Sequence, residues 1–527
     1  MNALLIVGLA LQVQAAQPIR LADDLGSHEH RISSTVPGVQ DYFNQGMRLA
    51  YAFNHDAAIR SFREAIRRDP KCAICWWGVA YSYGPNINLP MDSAAGVAAY
   101  AAMQQALKLQ ENATEKERAY IRALATRYGP DPLKDRARLD SAYARAMMNL
   151  ARAYPDDPDA ATLAAEALMD LRPWMYWTQD GRPEPGTTEI VSLLENAIRR
   201  DPNNPGACHF YIHAVEAAQP EKAVACAERL ASLMPGAGHL VHMPAHIYIR
   251  VGRWNDAIEA NRHAVHADEQ HVTMDRPSGF YLVGYYPHNH HFLAFAATMA
   301  GQSSVAIESA RNVRKTTPLD EADEYMLLQP LLAYPHLALA TFGRWKEVLT
   351  EPLPPDSLRL AKALTSYARG VAYAATGMDA AARMMLDTVK AIARTISDQP
   401  FKNVVDIATY ALAGEIDARI ENDLKGAEQN FRAAMRIEDS MSYMEPPDWH
   451  YPIRHSLGAI LLRANKPAEA EKVYREDLQR FPENGWSLAG LAASLRAQDR
   501  TAEADQVEQR LRTAWARADV KPVASRL

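Results

Sequence analysis

Residues 39–70 read VQDYFNQGMRLAYAFNHDAAIRSFREAIRRDP. The pattern is helical on both sides of a turn at Phe53-Asn54-His55. Gly46 is a small residue and Tyr51 an aromatic on the first side; Ala58, Phe62 and Ala65 follow on the second. Asp69-Pro70 closes the unit, because proline cannot extend a helix. The signature returns along the chain, with Ala245, Tyr248, Gly252, Ala257 and Ala264, then Gly301, Ala306 and Pro318, then Gly370, Tyr373, Gly377 and Ala382. It recurs twice more, as Gly458, Ala470, Tyr474 and Pro482, and as Trp486, Gly490 and Ala502.

This spacing resembles the tetratricopeptide repeat, a helix-turn-helix of about 34 residues whose small residues let two helices pack. The resemblance covers roughly residues 39–515 and implies an all-α, right-handed superhelical solenoid in which each helix pair buries its apolar stripe against its neighbours. It also implies a concave groove lined by the first helix of each pair. Residues about ten and six positions before the turn glycine then face that groove. The chain is expected to form one array over 39–527, with insertions near 81–92, 170–189 and 440–452 that act as spacers or lids.

The 527 residues carry 57 basic and 63 acidic side chains, a net charge of −6. No basic footprint exists for nucleic acid or an anionic membrane. Residues 1–16, MNALLIVGLALQVQAA, carry a short apolar run followed by small residues, as a cleavable secretory signal does, and predict a periplasmic or secreted protein. No run approaches the ~20 apolar residues that a membrane-spanning helix needs. A polar leader over 17–38 contains His28 and His30 and reads either as a solvated tail or as a segment that folds back. Cys72 and Cys75 form a CxxC that lacks the following histidine of haem attachment and a second CxxC for structural zinc. A local disulfide, core thiols and redox or metal work all remain open for it; Cys208 and Cys226 read as solitary.

The chemistry concentrates between Cys208 and Ala300, which hold eleven of the 17 histidines. His209 and His213 are one helical turn apart, as are His242 and His246, and the two pairs are 33 residues apart. Counted back from Gly252, His242 lies ten residues earlier and His246 six; from Gly301, His291 lies ten and His288 thirteen. These are groove positions in the resemblance. Neighbouring helices pack ~8–10 Å apart, so His209, His213, His242, His246, His288 and His291 are the candidate ligands of one or two transition ions. His290 can substitute for His288. Glu216, one turn past His213, is a candidate general base, carboxylate ligand or orienting partner. Glu166, Asp170 and Arg172 can extend the polar lining or form a helix-end ion pair.

An all-imidazole set suits copper, zinc or iron, with copper favoured by intrinsic affinity and an exported setting. Two function classes follow. One is a metal-dependent enzyme, copper oxidase-like or zinc hydrolase-like, acting on a small molecule. The other is a non-enzymatic module that binds peptides or partner proteins in the groove, which is what the resemblance implies for most of its members.

Overall fold

The computed structural model describes residues 19–275, 279–521 and 525–526. The signal read at 1–16 lies outside the described residues. Among those described the structure is all-α; the sole extended pairings are isolated bridges, Asn86 with Leu89 and Trp177 with Pro183. No described helix is long and apolar enough to cross a membrane.

The chain packs as two compact units, residues 19–247 with 262–286, and residues 248–261 with 287–526. In the first unit, helix Val39–Tyr51 pairs with His55–Arg68, Ala73–Ser82 with Ser93–Leu109, Glu115–Ala125 with Arg136–Ala153, Pro158–Met169 with Thr187–Arg200, and Pro205–Val215 with Val224–Leu233. The second unit stacks pairs in the same way, among them Arg359–Ala375 with Asp379–Ala393, Phe401–Ile416 with Leu424–Ser440, Ile453–Arg463 with Pro467–Arg480, and Gly485–Arg496 with Thr501–Ala514. Each is a solenoid of helix-turn-helix repeats.

Small residues set the packing distance. A Cβ on Gly46 would lie 2.5 Å from the Phe62 ring, and one on Gly78 would lie 2.6 Å from the same ring. Phe62 thus sits as a knob between the first helices of two successive repeats. In the second unit Tyr474 does the same between Gly458 and Gly490, where a Cβ would approach to 2.3 and 2.2 Å. Both triplets place glycine, aromatic and glycine sixteen residues apart. The turns are made by residues in the left-handed region: Phe53, Gly252, Gly301, Gly377 and Asn465 have φ of 55°, 80°, 70°, 72° and 55°. Phe53, Gly252, Gly301 and Gly377 are among the positions read from the sequence.

Two features correct or resolve the sequence reading. Cys72 bonds Cys75, and Cys208 bonds Cys226, so the second pair is not solitary. Helices Pro205–Val215 and Val224–Leu233 pack side by side and bring those two Cα atoms to 5.2 Å. The leader is not a solvated tail either. It folds back, with His30 Nδ1 at 2.7 Å and His28 Nε2 at 3.2 Å from the Asp159 carboxylate.

Candidate metal centre

The helix Pro205–Val215 starts on a strong signal. Asn204 caps it by accepting from the Ala207 amide, and Pro205 occupies its first turn. No residue of PGACHFYIHAV carries a formal charge, and all eleven are buried. The helix therefore runs through the interior, and His209 and His213 go with it, 0% and 2% exposed. His242 and His246 are also buried, at 0% and 1%. This corrects the expectation of open groove positions. A second correction concerns His242 and His246, which do not share one continuous helix. Gly238–His242 ends at Met243, and Pro244 begins the next helix, Pro244–Arg250.

Despite the break the rings converge. His242 Nε2 lies 2.8 Å from His246 Nε2. His209 Nε2 lies 3.1 Å from the Nε2 of His239, a residue three positions before His242 that the one-turn pairing passed over. Its signal was the spacing of His239, His242 and His246, which repeats at three and four. Gly238 makes room beside it: a Cβ there would meet Asp268 Oδ1 at 1.8 Å. The ligand atoms of His209, His213 and His239 all lie within 4.8 Å of one another, as do those of His213, Glu216 and His246. Nitrogens at ~2.1 Å from one tetrahedral ion sit on the order of 3.4 Å apart, so the first trio needs only a modest contraction.

The opposite ring nitrogens decide the tautomers. His209 Nδ1 is 2.7 Å from the Tyr51 carbonyl oxygen, which can only accept, so Nδ1 bears the proton and the lone pair is on Nε2. Gly206 lets the Tyr51 ring close on this helix, since a Cβ would come within 2.5 Å of it. Glu216 holds two rings at once: His213 Nδ1 donates to Oε1 at 2.9 Å and His246 Nδ1 to Oε2 at 2.6 Å. Burial raises the Glu216 carboxyl, but the two imidazoles outweigh it and hold it at about 2, so it is ionised. Both rings then turn Nε2 lone pairs inward, and His213 Nε2 has no hydrogen-bond partner. Burial pushes His209 well below its ordinary value and lowers His213 too, which keeps them neutral and able to ligate.

Aromatic rings wall the cluster. Phe53 meets His209 with centroids 4.5 Å apart, Tyr285 meets His239 at 4.5 Å, and Trp174 meets His213 edge-on at 5.0 Å. Trp174 belongs to the insertion read at 170–189. A cavity of about 690 Å³ reaches His239; Asn54, His271, Tyr281 and Ile19 to Leu25 of the leader also line it.

The ligand atoms of His242, His246 and His288 also lie within 4.8 Å of one another. His288 and His291 belong to the second unit, on helix Tyr286–Met299. His288 packs on Phe292, and His291 stands edge-on to Tyr334 at 4.4 Å, lowered by burial to about 4. His290 is buried on the same helix. Arg172 pairs with Glu184, and not with Asp170.

No protein-family model and no curated protein sequence matches the chain. Among solved structures it is similar to the human IFIT1 dimer with PPP-AAAA, at 12% identity, TM-score 0.34 and 91% coverage of both chains. It is also similar to yeast Tom70, at 10% identity, TM-score 0.31 and 90% coverage of both. A third is the APC/C hetero-tetramer Cut9-Hcn1, at 13% identity and TM-score 0.32, covering 89% of this chain and 78% of that one. With its stacked helix pairs and its two glycine-aromatic-glycine triplets, the chain resembles tetratricopeptide-type solenoids.

Proposed function

We propose that the first unit is a metal-binding solenoid whose buried histidines hold one or two transition ions, copper before zinc or iron, and that a small molecule reaches the site through the adjoining cavity. The observation that carries the reading is the paired anchoring of the rings. Tyr51 and Glu216 fix Nδ1 of His209, His213 and His246, so three Nε2 lone pairs are committed inward before any ion arrives. Carboxylate-oriented imidazoles are the usual surroundings of a metal site. A fold held by helix packing needs no ion for stability, which favours a functional over a structural metal.

When bound, copper would supply oxygen chemistry or zinc an activated water. Glu216, with both oxygens engaged by histidines, serves as a positioning residue in this reading and not as the base. Two disulfides suit an oxidising compartment, which supports export to the periplasm or medium. The peptide-binding alternative draws on the helical repeats, but it leaves the inward His213 lone pair without a role. X-ray absorption of the copper-loaded protein is the test. Imidazole scattering at ~2.0 Å is expected; a copper shell of oxygen alone would count against the cluster.

A further inference from the structure

The cavity beside the histidine cluster has a chemistry of its own. Its volume of about 690 Å³ lies within the ~300–1,000 Å³ usual for small-ligand sites. Ile19, Leu25, Leu49, Ala52, Ala57 and Ala267 give it apolar walls, and His239 joins it to the candidate metal centre. Most of its polar groups already serve the fold. Gln45 accepts from the Ala22 amide and donates to the Arg20 carbonyl oxygen, while Gln270 Nε2 lies 3.0 Å from His266. Asn54 accepts from the Ala57 amide and lies 3.0 Å from His271 Nε2, and the Tyr281 hydroxyl donates to Asp268.

Arg60 is the exception. It stands on helix His55–Arg68, lines the cavity, and has a side chain only 14% exposed. Its Nε and Nη2 are buried and donate to no acceptor. Those two atoms form one edge of the guanidinium, where two N–H bonds run side by side as a fork. Asp56, one turn back, is 3.3 Å from Nε but takes no hydrogen bond from it, and its own side chain is 37% exposed. An ion pair partly in water contributes little. Buried donors on a charged group are costly to leave without acceptors, so the fork calls for one.

Charge and shape narrow what fills it. The other charged lining residues, Arg20, Asp23 and Asp24, are exposed on the leader and solvated there. Arg60 is thus the one mostly buried guanidinium or carboxylate of the lining, and it favours an anion. Two parallel N–H donors match the two oxygens of a carboxylate, where a single water offers one oxygen. With the remaining polar groups engaged and the walls apolar, the rest of the occupant is hydrocarbon.

We propose that the cavity binds a small apolar carboxylic acid as its anion, with the carboxylate forked on Arg60 Nε and Nη2 and the hydrocarbon against the aliphatic walls. Such an acid is then the class of small molecule presented to the histidine cluster. That last step rests on the metal reading, whereas the binding does not.

Calorimetric titration of the metal-free full chain with phenylacetate and hexanoate, against phenylacetamide and hexanamide as uncharged comparators of similar size, tests the binding. One saturable acid site per chain is expected, with each amide at least ~10-fold weaker. Arg60→Gln should weaken the acids by at least ~10-fold, and Arg60→Lys, which keeps the charge without the fork, should fall between. Circular dichroism and melting establish that the variants are folded. No saturable acid binding, amide binding equal to acid binding, or undiminished acid binding by folded Arg60→Gln would each overturn the proposal. Visible absorption of the copper-loaded protein tests the link to the cluster. Saturating phenylacetate should shift the copper band, and an unmoved band would overturn the acid's role at the centre. Copper at background would count against the metal reading alone and leave the calorimetric site standing, so the two readings fail separately.

Discussion

Glu216 is the residue on which the candidate centre turns, because one carboxylate orients a ring from each side of the cluster. In Glu216→Gln the amide oxygen can accept from one Nδ1–H, but the NH2 group faces the other. That ring must flip its tautomer and withdraw its Nε2 lone pair. Metal affinity, measured by competition with a chromogenic chelator, should fall about 10–100-fold while the helical signal is retained. Unchanged affinity would mean that Glu216 does not set the ligand geometry.

The leader supplies a second residue-scale expectation. His28 faces Asp159 and Asp201, with Arg48 opposing. Burial pulls His28 down, yet the aspartates prevail and its value is raised above 6.5. Its contribution is full below 6.5 and fades as pH rises through the raised value. Burial lifts Asp159, but His28 and His30 outweigh it and hold it well below 3.8, so its contribution is present above 3.8 and fades on acidification. The latch is therefore strongest between 3.8 and 6.5. Amide protection factors over residues 28–33 should be higher at pH 5.5 than at pH 8.5, and His28→Ala should remove the difference. Equal protection at both values would contradict the latch.

At the scale of elements, the turns give a graded expectation. Gly377 and Gly301 both adopt positive φ, but nothing lies within 4 Å of a Cβ on Gly377, whereas one on Gly301 would press into the Trp515 ring at 2.8 Å. Gly377→Ala should lose about 1 kcal/mol, the left-handed cost alone. Gly301→Ala should lose clearly more in the same denaturant titration; equal losses would show that the contact relaxes freely. These turns were legible in the sequence because only glycine, asparagine and a few tolerated residues fit their backbone. His209, His213 and Glu216 were legible for a similar reason, since helical period alone places them together. What was not legible depended on which faces meet. The helix CHFYIHAV contains no formal charge, which was the available sign of an interior helix, yet the repeat resemblance suggested an open groove. The pairing of Cys208 with Cys226 needed the side-by-side packing of two helices that sequence separation does not fix. The break at Pro244 was written in the sequence, but its neighbouring histidine spacing favoured one continuous helix. His239 followed from that break, because it joins the cluster through the short helix Gly238–His242.

At the scale of the molecule, the first unit supplies what the proposed metal centre needs: a buried cluster of rings, several helices that each carry candidate ligands, and an adjoining cavity that reaches His239. The apolar stripes and glycine-aromatic knobs hold the repeats whether or not an ion is present. Binding and folding should therefore separate, which a metal-dependent fold would not allow. The most direct test is metal content by mass spectrometry together with melting temperature, on the unaltered protein, on His213→Ala and on His336→Ala as a control in the second unit. After loading with copper and desalting, the unaltered protein and the control should retain about one to two ions per chain. His213→Ala should lose most of them while keeping a cooperative melt. Copper, zinc and iron all at background in the unaltered protein, or full retention by His213→Ala, would contradict the metal-centre reading.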